Sequence, residues 1–141
     1  KGVAVWPAQA INYTNKTQFL FRIQKGIHDI NDTGVNDYIK PENQRVPFRN
    51  MIYIGDSDTD IPCMSLVNAN GGHSIGVYDP FKKDKEKVYK MMRHHRIRYY
   101  APADYSNGSK LDTLVKQIIR KTAAYEVLEG EYIHCKYEAE E

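Results

Sequence analysis

Apolar positions along the 141-residue chain change their period several times, and each change marks an element. Residues 3–13 (VAVWPAQAINY) are apolar, with β-branched and aromatic members, which predicts a strand that Pro7 confines to an edge or a bulge. Trp6, just before that proline, is expected to pack rather than bind. From Asn15 the pattern becomes helical: Phe19, Leu20 and Ile23 share a face, Thr14 or Asn15 can cap the start, and Gly26 stands where a helix usually stops. Residues 27–49 hold Asn, Asp, Gly and Pro with few paired apolar positions, so they read as an unusually long connection.

Residues 50–56 (NMIYIGD) form an unbroken apolar run ending in Gly-Asp, the pattern of a buried central strand that carries a polar residue to its C-terminal tip. Asp60 and Pro62 suit the first turn of a following helix that carries Met64, Leu66 and Val67. A second strand is predicted at 73–78 (HSIGVY), reached through Gly71 and Gly72. After Asp79 and Pro80 a basic helix is expected from about residue 81 to 94, with Val88, Met91 and Met92 on its buried side. Residues 98–101 (RYYA) give a third strand. Ser109 with Asp112 resembles a capping box, and Leu111, Leu114, Val115, Ile118 and Ile119 form one stripe of a last helix. Beyond Leu128 the period is lost and residues 129–141 turn acidic, so they are expected to fray or to pack only as an appendage.

Strand and helix alternating after residue 50 predict an α/β fold: a parallel sheet with helices on both faces, a partial Rossmann-like three-layer arrangement. In such sheets ligands sit at the carboxyl ends of strands, where Asp56 falls. The length suits one domain or a piece of one, with the core in residues 1–128 and the acidic tail in 129–141. The start at Lys1-Gly2, without an initiator Met, leads us to expect a fragment.

Composition narrows the function classes. Hydrophobic residues at 41% and charged residues at 27% fit a globular domain, and a formal charge of +2 is too weak to imply a polyanion partner. Cys63 and Cys135 are far apart and belong to no cluster, so neither a disulfide framework nor a zinc site is expected. No apolar run approaches a membrane span and no signal pattern opens the chain, so a cytoplasmic setting without a membrane partner is expected. On the same ground, the sequons at Asn12, Asn15, Asn31 and Asn107 read as chance.

The candidate chemistry lies in Gly55-Asp56-Ser57-Asp58-Thr59-Asp60. Three carboxylates within five residues repel one another, and a hard divalent cation would compensate them. Mg²⁺ takes one or two protein carboxylates and leaves room for water and a phosphate oxygen. Asp56 at the strand tip is the expected direct ligand, with Asp60 one turn on; Asp58 and Asp60 also suit a plain capping role at the next helix.

The string IYIGDSDTDIPCM, an apolar strand followed by Gly-Asp-x-x-x-Asp and a helix, resembles the fourth signature motif of the haloacid-dehalogenase superfamily. That superfamily's third signature, a lysine near a helix start upstream of the strand, is matched by Lys16 in NYTNKTQFLFRIQKG, with Lys25 as the fallback. Residues 3–80 look like a bacterial subgroup similar to phosphoserine phosphatase. The resemblance implies a Mg²⁺-dependent phosphomonoester phosphatase that works through an aspartyl-phosphate. It implies that Asp56 binds the metal, that Asp60 holds the metal's shell, and that Lys16 pairs with nucleophile and phosphate of a small phosphorylated substrate. The first signature, Asp-x-Asp after a strand, is missing, and the second, a Ser or Thr at a strand end, is not identifiable; Thr14 is a poor substitute. Both are expected in a missing N-terminal half, so the chain alone should be inactive.

The rival reading is a non-catalytic α/β binding module. Residues 82–98 hold eight Lys or Arg against two acids and could face a protein or nucleic acid. The stripe of Val88, Met91 and Met92 fits the solvated face of an ordinary amphipathic helix better, so nucleic acid is not the expected partner. Adjacent His94 and His95 point about 100° apart on a helix and do not make a metal pair.

Overall fold

The computed structural model describes residues 2–7, 9–82 and 84–141. It is an α/β arrangement around a three-stranded parallel sheet. Helix α1 spans Lys16–Lys25, strand β1 Ile52–Gly55, α2 Ile61–Ala69, β2 His73–Tyr78, α3 Glu86–Arg93, β3 Tyr99–Pro102 and α4 Lys110–Glu140. The strand order is β1-β2-β3, with Ile54 beside Ile75 and Gly76 beside Tyr100 in register.

Strand alternation separates the two faces. Ile52 and Ile54, Ile75 and Val77, and Tyr99 and Ala101 pack under Leu111, Leu114, Val115 and Ile118 of α4. On the opposite face, Tyr53 packs with Leu20, Phe48, Cys63 and Val67, while Tyr78 and Tyr100 pack with Met64, Val88, Met91 and Ile97. Helices therefore cover both faces, as the sequence pattern predicts.

Gly26 closes α1 in the left-handed conformation at φ 72°, where glycine carries no Cβ penalty. Its stripe differs from expectation, for Leu20 and Arg22 are the buried residues and Ile23 is exposed. Arg22 is buried because its guanidinium donates to the carbonyl oxygens of Asp29 at 2.6 Å and Ile30 at 3.0 Å. Those bonds, with three short 3₁₀ turns, order the long connection 27–49. At the start of α4, the Asp112 N–H donates to Ser109 Oγ at 3.1 Å and Gly108 N–H to Asp112 Oδ2 at 2.9 Å, so the predicted cap is present.

Three expectations are corrected. Among the described residues, 3–7 and 9–13 form no strand; Ala8 lies outside them. An isolated extended segment has no partner to satisfy its backbone groups, and none of the three sheet strands pairs with it. Trp6 accordingly does not pack and is 87% exposed. The basic helix begins at Glu86, not near 81, because the Asp79 and Asp84 carboxylates accept from Phe81 N–H and Glu86 N–H and turn the backbone first; Lys83 lies outside the described residues. The acidic segment, expected to fray or to pack only as an appendage, is a mostly exposed continuation of α4 through residues 129–140 with no break at 128. Its Glu, Ala and Lys residues are strong helix formers, and the Arg49–Glu126 ion pair anchors the helix just before them, Nε to Oε1 at 2.8 Å.

Candidate functional site

Strand β1 ends at Gly55, and the backbone turns through Asp56 and Ser57 into a 3₁₀ turn at Asp58–Asp60 that leads into α2. This turn swings the Asp60 carboxylate back over the strand tip. A Cβ on Gly55 would lie 2.7 Å from Asp60 Cγ, so only glycine allows the approach. The carboxylate is nearly buried and fully engaged. Its Oδ1 accepts from Lys16 Nζ at 2.7 Å and Tyr53 Oη at 2.8 Å, and its Oδ2 from the Asp56 and Ser57 N–H groups at 3.2 and 3.1 Å and Ser57 Oγ at 3.0 Å.

Burial alone would raise the Asp60 pKa, but the donors from Lys16, Tyr53 and Ser57 outweigh it and hold the carboxyl down at about 2. Burial, and then the bond to Asp60, pushes the Tyr53 hydroxyl well above its ordinary value, so it stays a donor. Lys16 also donates to Thr59 Oγ1 at 3.2 Å.

The Asp56 side chain is exposed and has no hydrogen bond or ion pair among the described residues. Lys16, Asp56, Ser57, Asp60, Tyr78 and Asp79 line one open cavity of about 610 Å³ at the carboxyl ends of the strands, with Phe81 and Tyr105 at its walls. The three sequence-predicted residues thus meet in one place. Asp58 is outside it, exposed and 3.8 Å from Lys87. The fallback Lys25 is at the far end of α1, donating to the carbonyl oxygens of Val35 and Asp37 at 2.6 Å each.

Tyr53, Ser57 and Thr59 are site residues that the sequence reading did not single out. Tyr53 carried a faint signal, as the one polar tip inside an apolar strand. Among the described residues, no group of three or more His, Cys, Asp and Glu side chains is gathered as a metal centre. One carboxylate, Asp56, is free to face a cation, which fits a metal that keeps most of its waters; Asp60 has both oxygens taken by protein donors. The basic stretch lies elsewhere, on α3 and the turn after it, where Arg93 pairs with Glu86 and His94 and His95 are exposed. No helix among the described residues is long and apolar enough to cross a membrane.

No family model matches the chain, and no solved structure matches it. A curated protein of Borreliella burgdorferi described as an uncharacterized protein is 26% identical over 101 residues, covering 72% of this chain and 34% of that protein. The chain therefore spans about a third of the length of the curated relative it matches.

Proposed function

We propose that the chain forms part of a Mg²⁺-dependent phosphomonoester hydrolase of the haloacid-dehalogenase type, with the nucleophilic aspartate supplied from outside these residues. The observation that carries the reading is the meeting of Lys16 and Asp60, 2.7 Å apart, beside the free Asp56 carboxylate in one cavity at the strand tips. Sequence separation makes this meeting non-trivial, since α1 and the β1 tip are joined by the long connection.

In this reading Asp56 is a direct ligand of the ion. Asp60 acts through its neighbours: it fixes the backbone of Asp56 and Ser57 and holds the Lys16 ammonium at the cavity wall. An ammonium held there would stabilise negative charge spread over phosphoryl oxygens. Mg²⁺, when bound, would supply further neutralisation of the same oxygens.

Titrating Mg²⁺ into the chain while following the backbone amides of Gly55, Asp56 and Ser57 by NMR tests the reading. Weak saturable shifts that vanish in Asp56→Asn are expected. Absent shifts, or shifts that Asp56→Asn leaves unchanged, would refute it in favour of a non-catalytic binding module. Phosphate release from an aryl phosphate should be negligible for this chain; robust turnover would refute the external nucleophile.

A further inference from the structure

A second cavity lies at the opposite end of the sheet, where β1 and β2 begin beneath α4. It measures about 180 Å³ and is lined by Arg49, Asn50, His73, Lys121, Thr122 and Tyr125. A water molecule takes about 30 Å³ of liquid, so there is room for a solute of several heavy atoms.

Two polar atoms of its wall lack partners. His73 is 2% exposed, stacked 6.2 Å from the Tyr99 ring, and its Nδ1 makes no hydrogen bond. The side-chain oxygen of Asn50 is also buried without a partner. Buried polar atoms are costly unless something hydrogen-bonds them, so a pair of them on one small cavity points to a polar occupant.

The charges decide its sign. Glu126 is engaged by Arg49, through Nε at 2.8 Å and through a second nitrogen at 3.3 Å, and no acid among the described residues lines the cavity itself. Tyr125 offers its ring face to the same guanidinium at 5.6 Å. Lys121 has no ion pair among the described residues and is left as uncompensated positive charge at the wall. Burial, then Lys121 and Arg98, depress the His73 pKa, which leaves a neutral ring able to donate one N–H. An anion with oxygen acceptors takes the Lys121 ammonium and the His73 N–H, while the Asn50 oxygen, which only accepts, is left to a ligand hydroxyl or a water.

We infer that this cavity binds a small oxyanion, a phosphate or a carboxylate, held by Lys121 and the His73 ring at the end of the sheet opposite the candidate hydrolase site. The two sites share β1 and β2 but no side chain, so they can be read separately in one experiment.

The test is a titration of the chain with inorganic phosphate and, separately, with acetate, followed by NMR at the His73 ring nitrogens and at the Asp56 and Ser57 amides. The expected result is a saturable shift at His73 with at least one anion, weakened about tenfold in Lys121→Gln. The responses at Asp56 and Ser57 should be the same in both proteins. Lys121 is exposed, so the variant should fold normally. No saturable shift at His73 with either anion, or one unchanged by Lys121→Gln, overturns the inference and leaves the cavity to water.

Discussion

Replacing Asp60 with Asn perturbs the centre of the candidate site with almost no change of shape. The carboxylate accepts from five donors, and the amide can accept at only one of its two ends. In either orientation its NH₂ group faces donors, the Lys16 ammonium on one side or the Asp56 and Ser57 N–H groups on the other. Lys16, with a side chain 26% exposed, loses its counter-charge as well. The drop of the Asp60 pKa from 3.8 to about 2 corresponds to about 2 kcal/mol of folding free energy at neutral pH. Stranded donors add about 1 kcal/mol, so the expected loss for Asp60→Asn is about 3 kcal/mol at pH 7. The pH dependence has a fixed sign. Because the folded pKa lies below the unfolded one, the stabilisation is complete above the unfolded value and is lost as pH falls through the folded value of about 2. Urea unfolding of both proteins, read by circular dichroism, should show a lower midpoint with unchanged slope for the variant, and a gap that narrows below about pH 4. A loss under about 1 kcal/mol at pH 7, the size of an exposed ion pair, would refute the reasoning. A gap that stays constant on acidification would refute it equally.

Gly55→Ala should destabilise by about 1–3 kcal/mol in the same unfolding assay, since the new Cβ meets Asp60 Cγ and Oδ2 at 2.7 Å; a neutral result would mean that the turn relaxes freely. Thiol reagents should titrate one cysteine quickly, because Cys135 is exposed while Cys63 is buried and its thiol pKa is pushed up by burial. Cys135→Ser should remove that fast phase, and two fast thiols in the unmodified chain would contradict the packing of α2.

Much of the fold was legible because its signals are local. The three strands after residue 50 are short apolar runs bounded by turn residues, and the α4 cap is a spacing of three between Ser109 and Asp112. Misreadings arose where a non-local fact decides. Residues 3–13 have strand composition, yet a strand exists only through a neighbour, and composition does not supply one. Arg22 sits within an apolar helix pattern and is buried only because distant carbonyl oxygens converge on it. The convergence of Lys16, Asp56 and Asp60 was foreseen, but not that Asp60 would be saturated with donors. That outcome depends on Tyr53 lying on the α1 and α2 side of β1 and on the tight turn at Gly55. The persistence of α4 to Glu140 was hidden because apolar periodicity reports burial, and most of this last stretch is exposed.

Helix α1 is fastened at both ends by its own basic side chains. Lys25 and Arg22 grip the carbonyls of residues 27–37 at one end, and Lys16 grips Asp60 at the other. A ten-residue rod clasped in this way behaves as a crossbar about 15 Å long. Sliding or rolling it would strain both grips together, so the position of the Lys16 nitrogen is inherited from the surface loop at the rod's other end. Sequence changes in that loop, remote from any reacting atom, would therefore be felt at the cavity wall.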